Sequence, residues 1–318
     1  MGVPWQAERS LDAAWAAQTL ARVPEVAGWS VKPLGEGFDN AAFRVRNPQL
    51  NPALESPTPG SAGYVFRFPR RAFAVPFLEA EIRWLPALVA GLPVPISAPT
   101  ISGVDADGWP FAGYPALAGE TACRAGLRPA ERAGLAPALG RCLRALHQRP
   151  VPADLHGDTL RRADPHHRIA QGRERIPLLD RWDTATAQSA SAALEQTFAE
   201  LQGPATRTCV VHGDLYPRHL LVAEGQLSGV IDWGDLHHGD PALDLAIAPA
   251  LLPPAAWPTF CAAYGGVDTA TWRRARFRTA WHTLATLWYG AEIGDAALLE
   301  ASRIALDHLH TTGPDLPR

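Results

Sequence analysis

Two acids and a histidine lie close together in the second half of the chain, with types and spacing that could carry out phosphoryl transfer. Asp214 and His219 belong to the run His-Gly-Asp-Leu-Tyr-Pro-Arg-His at residues 212–219, and Asp232 follows after a short segment. Phosphoryl transfer from a nucleotide needs one carboxylate that orients the acceptor hydroxyl, and two ligands that hold magnesium on the phosphates. The pattern offers one candidate for each of these three roles.

The residues around these side chains predict how the chain brings them together. Residues 209–211 form a short apolar strand that ends at the His-Gly-Asp tripeptide. Residues 220–222 and 229–231 have the pattern of a two-stranded hairpin, which would return Asp232 to a position beside Asp214. We therefore predict Asp214 as the catalytic base and Asp232 as the principal metal ligand, because magnesium prefers carboxylates.

Strand-like segments dominate the first part of the chain, and helical segments dominate the second. Strands are predicted at residues 30–34, 42–46, 64–68, 100–104 and 109–114. A helix at residues 75–90 has apolar side chains at helical spacing. Strands followed by helices, without alternation between the two, indicate an α+β protein in two parts. We place these parts at residues 1–117 and 118–318.

Residues 212–235, with the run Gly-Asp-Pro-Ala-Leu-Asp-Leu-Ala at residues 239–246 behind them, resemble the catalytic core of the aminoglycoside and macrolide phosphotransferase family. That family has H-G-D-x-x-x-x-N, then I-D, then G-D-P-x-x-D-L-A. The resemblance implies a protein-kinase-like two-lobed fold, with a small β-rich N-lobe and a larger helical C-lobe. It also implies Mg²⁺ with ATP or GTP as phosphate donor, and a small hydroxylated molecule as acceptor.

The first part of the chain agrees with this resemblance. Gly35 and Gly37 lie between two predicted strands, where such kinases have a loop that covers the nucleotide. Arg67 lies on the predicted third strand, at the position where kinases grip the nucleotide phosphates with a lysine, and the fork of an arginine suits phosphate. Glu81 on the following helix is our choice for the acid that pairs with Arg67, with Glu79 as its competitor.

His219 departs from the family pattern, which has asparagine at this position. Asparagine offers magnesium a carbonyl oxygen, whereas histidine offers a softer imidazole nitrogen that magnesium binds poorly. Three interpretations stay open. His219 reaches a metal on Asp232 through water, or the ion resembles manganese, or His219 hydrogen-bonds Asp214 and the enzyme is slow or inactive.

A second His-Gly-Asp tripeptide occurs at residues 156–158. It lacks the apolar strand before it and the hairpin after it that accompany the first copy. We therefore interpret it as a chance match in a surface loop.

Composition limits the class of partner. The 318 residues are 47% hydrophobic and carry a formal net charge of -3. No apolar run approaches the roughly 18 residues of a membrane span, and no basic stripe suggests nucleic acid. The four cysteines are far apart, which argues against a zinc site or a disulfide framework. We expect a soluble cytoplasmic protein without membrane or nucleic-acid partners, and the sequence leaves its oligomeric state open.

The C-terminal region gives a mild indication of the acceptor. Residues 249–318 contain six acids and six arginines, so they lack the acidic excess that would suit a polycationic aminoglycoside. They also contain Trp281 and Trp288, which are seven positions apart and fall on one helix face. Simple core packing is the more common explanation for such a pair. If some of the tryptophans line a pocket, a macrolide-like or other large natural product is favoured.

Three hypotheses about function result from these patterns. The first is a nucleotide-dependent kinase that acts on a small-molecule hydroxyl. The second is a pseudokinase that binds nucleotide without turnover. The third is a metal-dependent hydrolase, which leaves Gly35, Gly37 and Arg67 unexplained; its ligands would be His212, Asp214, His219, Asp232 and His237.

Overall fold

The structure, a computed structural model, describes residues 7–36, 39–49, 63–205 and 207–316 of the chain. The described residues form two compact units. The first unit comprises Met1–Ala90, Pro95–Ala118 and Asp232–Leu236, and the second comprises Gly91–Val94, Gly119–Ile231 and His237–Arg318. The assignment of a nucleotide-covering part to residues 1–117 and an acceptor-binding part to residues 118–318 stays a prediction.

The first unit is built on an antiparallel sheet with the strand order β1-β2-β3-β5-β4. Its strands are β1 (Ser30–Glu36), β2 (Asn40–Arg46), β3 (Tyr64–Pro69), β4 (Ile101–Val104) and β5 (Pro110–Pro115). Two helices belong to the same unit, α1 (Ala13–Leu20) and α2 (Val75–Val89).

An aromatic core covers one face of this sheet. Phe66 and Phe68 are two positions apart on β3, so their side chains lie on the same face, and both are fully buried. The ring of Phe111 on β5 lies 6.2 Å from that of Phe66 and 5.3 Å from that of Phe68. Arg67, between the two phenylalanines, must therefore leave the sheet on the opposite face.

The second unit is mainly helical. Its helices are α3 (Pro129–Gly134), α4 (Ala136–His147), α5 (Pro165–Asp180), α6 (Thr184–Ala199), α7 (Ala242–Leu245), α8 (Ile247–Leu251), α9 (Trp257–Tyr264), α10 (Thr269–Ile293) and α11 (Ala296–His310). Its strands are β6 (Glu120–Thr121), β7 (Cys209–Val211), β8 (Leu220–Ala223), β9 (Gln226–Val230) and β10 (His237–Gly239). Among the described helices, none has the length and apolar character needed to cross a membrane.

The predicted hairpin after Asp214 is present as β8 and β9. The turn residues Glu224 and Gly225 both have positive φ, at 50° and 72°, which is the conformation that two-residue hairpin turns favour. Beyond the sequence prediction, β6 adds to the outer edge of β8, and β10 pairs with β7 in a separate two-stranded sheet.

Aspartates start several helices of the second unit. The side chains of Asp164, Asp183, Asp268 and Asp295 accept backbone N–H hydrogen bonds at the starts of α5, α6, α10 and α11. Such caps satisfy amide groups that have no partner within the helix. Asp268 and Asp295 were among the acids counted toward an acceptor region, and their carboxylates instead stabilise helix ends.

A glycine-to-alanine exchange tests the aromatic core. A Cβ added at Gly113 of β5 would lie 2.6 Å from ring atoms of Phe66, closer than carbon atoms approach. We expect Gly113→Ala to lower the free energy of unfolding by about 1–3 kcal/mol through overpacking. Urea denaturation followed by circular dichroism measures this change. Gly134→Ala is the control, because no heavy atom lies within 4 Å of its added Cβ; equal stability of the two variants would contradict the packing described.

Candidate active site

A buried carboxylate holds the loop that carries Asp214. The backbone N–H groups of His212 and Gly213 donate to the two carboxylate oxygens of Asp244, each at 2.9 Å. The Nε2 atom of His147 lies 2.9 Å from the same carboxylate, which is fully buried. Burial acts to raise the pKa of Asp244, but His147 and the other donors outweigh burial and lower it. An ionised Asp244 therefore fixes the backbone just before Asp214.

His212 supports the same loop with both of its ring nitrogens. The backbone N–H of Asp214 donates to Nδ1 of His212 at 3.3 Å, and Nε2–H of His212 donates to the carbonyl of Ile231 at 3.0 Å. Burial lowers the pKa of His212, so its ring is neutral. The side chain has no nitrogen left for a metal, which removes it from the ligand set of a hydrolase.

The carboxylate of Asp214 contacts two arginines and a histidine that the sequence did not reveal. Its Oδ1 atom is 3.0 Å from Nη2 of Arg278, 3.2 Å from Nε2 of His282 and 3.4 Å from Nη1 of Arg162. Burial acts to raise the pKa of Asp214, but these three neighbours outweigh it and hold the pKa well below the ordinary aspartate value. Asp214 is therefore ionised across the physiological range.

His219 contacts the backbone of Asp214 rather than its carboxylate. Nδ1–H of His219 donates to the carbonyl oxygen of Asp214 at 2.8 Å, and the buried imidazole packs edge-on against Tyr216. A carbonyl cannot donate, so the proton of a neutral ring is on Nδ1 and the lone pair is on Nε2. The His219 hydrogen bond thus closes the loop between the two residues.

The second group of predicted residues lies in the first unit, around Arg67. Nη1 of Arg67 donates to both carboxylate oxygens of Glu81, at 3.2 and 3.1 Å, and its Nη2 lies 3.0 Å from Oδ1 of Asp232. The guanidinium is also 5.6 Å from the ring of Tyr114. Glu79, the competitor for the pairing role, is exposed. Arg67 thus bridges the α2 acid and the acid that follows the hairpin.

Charge and burial oppose one another in this group. Burial raises the pKa of Glu81 to about 7, although Arg67 acts in the opposite direction. Burial also acts to lower the pKa of Arg67, but Glu81 and Asp232 outweigh it and raise the pKa. Arg67 is therefore permanently cationic, and a buried cation of this kind needs its carboxylate partners.

The segment after the hairpin has a conformation that brings Asp232 to Arg67. Asp232 has φ of +62°, a left-handed conformation that aspartate tolerates better than most residues. Trp233, next to it, is almost fully buried and anchors the segment in the first unit. Gly234 passes close to the arginine, since an added Cβ would be 3.3 Å from Nη2 of Arg67.

The structure separates the predicted site residues into two sets. Asp214 and His219 lie in the second unit, whereas Gly35, Arg67, Glu81 and Asp232 lie in the first. Gly35 is at a bulge of β1, where an added Cβ would meet open space. Gly37 lies outside the described residues. The convergence of Asp232 with Asp214 stays a prediction, as do the roles of all these residues.

The structure corrects the interpretation of the second His-Gly-Asp tripeptide. Its residues are half-buried, and the carbonyl of His156 accepts the N–H of His238 at 3.0 Å. The carboxylate of Asp158 accepts the backbone N–H groups of Arg162 and Ala163, each at 2.7 Å. This turn presents Arg162 to Asp214. The repeated tripeptide can be seen in the sequence. Nothing in the neighbouring residues, however, indicated that this turn would position Arg162.

Comparison with known proteins identifies the class to which this fold and loop belong. The chain matches the family model of the phosphotransferase enzyme family over residues 30–278. The chain therefore belongs to this family, whose members are small-molecule kinases, and the predicted family and α+β fold class are confirmed. A search of curated proteins gave no match.

Solved structures show the same fold. The GDP and kanamycin complex of APH(2")-IIia has a TM-score of 0.65 and 24% identity, with 94% of this chain and 99% of that chain covered. The GDP complex of wild-type aminoglycoside 2'-phosphotransferase-IIIa has a TM-score of 0.66 and 23% identity, with 95% and 99% covered. Macrolide 2'-phosphotransferase MphH from Brachybacterium faecium has a TM-score of 0.57 and 22% identity, with 93% and 98% covered.

Removal of the charge on Asp244 tests how the loop is held. An asparagine would turn an NH₂ group toward at least one of the N–H donors, so a buried hydrogen bond to a charged group is lost. We expect Asp244→Asn to lower the free energy of unfolding by about 2–3 kcal/mol, measured by urea denaturation. Asp12→Asn is the matched control, because Asp12 is an exposed helix cap and asparagine caps equally well. An equal loss of unfolding free energy in both variants would show that the carboxylate of Asp244 does not hold the loop.

The lowered pKa of Asp244 predicts that the stability of the protein depends on pH. The folded-state pKa of Asp244 is lowered, so its contribution is complete above the unfolded aspartate pKa of about 4. The contribution falls as pH falls through the lower folded-state value. We therefore expect the stability difference between the wild type and Asp244→Asn to be constant near neutral pH and to narrow in acid. A stability difference between the two proteins that became larger in acid would contradict this prediction.

Proposed function

We propose that this kinase transfers the γ-phosphate of ATP or GTP to a hydroxyl group of a small molecule, with Asp214 as the residue that orients the hydroxyl and accepts its proton. The observation that carries the proposal is the loop geometry, in which Asp244, His212 and His219 fix the backbone on both sides of an ionised Asp214. Phosphoryl transfer depends mainly on such positioning, because its loose transition state needs little help from a strong base.

Arg67 is proposed to bind the nucleotide phosphates. Its guanidinium is held by Glu81 on one side and Asp232 on the other, so its fork has a fixed orientation. Two parallel N–H groups suit phosphate oxygens, which explains how an arginine replaces the usual lysine. Gly35 and Gly37 would form the loop that covers the phosphates.

Magnesium is proposed to be held by Asp232 together with the nucleotide phosphates. The Asp232 side chain is 48% exposed, and magnesium typically takes only one or two carboxylates from a protein. Bound magnesium would neutralise charge on the phosphates. His219 has a nitrogen lone pair on Nε2 only, which suits contact through water better than direct ligation of magnesium.

Structural relatives support a nucleotide donor. Two of the neighbours named above were solved with GDP, and APH(2")-IIa, with a TM-score of 0.54, was solved in a ternary complex with streptomycin and ATP. ATP and GTP should therefore both be tested as the phosphate donor.

A pseudokinase is the second candidate, and His219 is the observation that favours it. The family pattern has asparagine where this chain has an imidazole whose Nδ1 is committed to the Asp214 carbonyl. Such a protein would bind nucleotide without turnover. The hydrolase hypothesis is not proposed, because both ring nitrogens of His212 are used within the loop.

Nucleotide binding tests the role of Arg67. We expect Arg67→Gln to weaken the binding of ATP or GTP with magnesium by about 10- to 100-fold, the loss of a charged hydrogen bond. Isothermal titration calorimetry measures the affinity. Arg67→Lys keeps the positive charge beside Glu81, so this variant should fold more reliably than Arg67→Gln. We expect its nucleotide affinity to lie between those of the wild type and Arg67→Gln. Arg83→Gln is the control, because Arg83 is exposed on the helix that carries Glu81; equal weakening by both glutamine variants would overturn the role.

Turnover tests the role of Asp214 and separates the two candidate functions. We expect Asp214→Asn to lower the rate of acceptor-dependent nucleotide diphosphate release by about 100-fold or more, with nucleotide affinity unchanged. An unchanged rate would contradict the assignment of the base. If the wild type binds nucleotide without turnover and His219→Asn restores release, the pseudokinase is supported instead.

A further inference from the structure

A cavity in the second unit opens beside the proposed catalytic carboxylate. Its walls come from the residues that follow Asp214 and from α8, α10 and α11. Two of the lining residues, Arg278 and His282, also contact Oδ1 of Asp214, at 3.0 and 3.2 Å. A group bound in the cavity would therefore lie within one side chain of the carboxylate that is proposed to orient the acceptor hydroxyl.

Apolar side chains, most of them small, form much of the wall. Four alanines and two leucines line the cavity, and these are Ala246, Ala250, Ala301, Ala305, Leu215 and Leu298. Alanine side chains leave space between helices that larger side chains would fill. They also offer no hydrogen bond, so this part of the wall suits an apolar group.

Three of the hydroxyl groups in the lining are already hydrogen-bonded within the fold. Oγ1 of Thr279 donates to the carbonyl oxygen of Ala246 at 2.9 Å. Oγ of Ser302 donates to the carbonyl oxygen of Leu298 at 2.8 Å, and Oγ1 of Thr286 lies 2.8 Å from the same Oγ atom. These hydroxyl groups therefore need no polar group from a ligand.

The polar end of the cavity is the end nearest to Asp214. Burial lowers the pKa of His282 to about 4, although Asp214 acts in the opposite direction, so the imidazole is neutral. Its ring packs against Tyr216, with the ring centres 4.7 Å apart. Nη2 of Arg278 donates to the carboxylate of Asp214 and to the carbonyl of Gly213. The lining thus changes from polar beside Asp214 to mainly apolar along α11.

The size of the cavity limits what it can bind. Together with its open mouth the space comprises about 380 Å³, but the part into which a water-sized group fits is only about 20 Å³. A space of this size has room for about one water molecule or one methyl group. The cavity could therefore take a single small substituent of an acceptor, and not the body of a large one.

The tryptophans of the C-terminal region do not supply the apolar character of this cavity. Neither Trp281 nor Trp288 is among its lining residues. Trp281 is 5% exposed and belongs to a core cluster, and the guanidinium groups of Arg168 and Arg278 lie 4.4 and 5.2 Å from its ring centre. Core packing therefore accounts for Trp281, and the macrolide-like acceptor stays a prediction that this residue does not support.

We propose that the acceptor carries a small aliphatic group, of about methyl to ethyl size, next to the hydroxyl that receives the phosphate, and that this group binds in the cavity. The proposal rests on the proposed kinase function and specifies its substrate class. The hydroxyl would lie at the polar end, beside Asp214, and the aliphatic group among the alanines. Each methyl or methylene group that leaves water in this way strengthens binding about fourfold.

Three small hydroxyl compounds test this class, because they differ in one substituent only. Ethylene glycol has no aliphatic substituent, propylene glycol has a methyl group beside one hydroxyl, and glycerol has a hydroxymethyl group there. Ligand-observed NMR measures their affinities for the protein saturated with magnesium and a non-hydrolysable ATP or GTP analogue. We expect propylene glycol to bind about fourfold more tightly than ethylene glycol, and glycerol to bind no more tightly than ethylene glycol.

Filling the cavity tests where the methyl group binds. Ala301 of α11 is a half-buried lining residue, so a larger side chain at this position would occupy the space. We expect Ala301→Leu to abolish the preference for propylene glycol, and the smaller Ala301→Val to reduce it. Ala296→Leu is the matched control, because Ala296 is exposed on the same helix and does not line the cavity. Unchanged nucleotide affinity shows that each variant is folded.

A variant at Asp214 tests whether the hydroxyl lies at the catalytic carboxylate. Asparagine is a weaker acceptor than a carboxylate, so we expect Asp214→Asn to weaken the binding of ethylene glycol and propylene glycol alike, by about threefold or more. The ratio of their two affinities should stay the same, because the methyl group binds elsewhere in the cavity.

The outcomes separate this proposal from the proposed function. If no nucleotide binds, the kinase function itself fails. If nucleotide binds but propylene glycol shows no advantage over ethylene glycol and glycerol, the aliphatic substituent is overturned while the kinase stands. An advantage that is the same in Ala301→Leu, Ala301→Val and Ala296→Leu would overturn the cavity as its binding place. Equal binding of the diols to the wild type and Asp214→Asn would overturn the position of the hydroxyl.

Discussion

The geometry of the catalytic loop depends on one buried carboxylate. Asp244 lies on α7, after the hairpin, yet its two oxygens accept the backbone N–H groups of His212 and Gly213 just before Asp214. Without those acceptors, two buried donors would lose their partners in a loop that has no strand or helix to satisfy them. His147 on α4 supplies the third contact and keeps the carboxylate ionised. Residues from three separate segments thus fix one peptide turn.

The buried charges of Arg67 in the first unit and Asp214 in the second have different sets of partners. Arg67 contacts two carboxylates, Glu81 and Asp232, which offset the cost of burying its charge. Around Asp214 the numbers are reversed, since the guanidinium groups of Arg162 and Arg278 both contact one carboxylate. The guanidinium groups of Arg162 and Arg278 help to keep Asp214 ionised, because they hold its pKa low.

Local pattern was sufficient for much of the fold. The alternation along β3 placed Arg67 on the face opposite to Phe66 and Phe68, and helical spacing along α2 favoured Glu81 over Glu79 as the partner of Arg67. The hairpin was predicted, and its turn at Glu224 and Gly225 uses the positive φ that glycine permits. These features depend on neighbours in the chain, which is why period and turn chemistry could predict them.

The sequence by itself determined the family, the order of strands and helices, and the acids that could do chemistry. Only the tertiary structure decided what surrounds Asp214, because Arg162 and Arg278 are 52 and 64 positions away from it along the chain. It also decided that His219 contacts a backbone carbonyl and that Trp281 is covered by guanidinium groups. Periodicity records which face of an element a side chain occupies, but the charge around a carboxylate is a sum over distant segments, and packing alone brings those segments together.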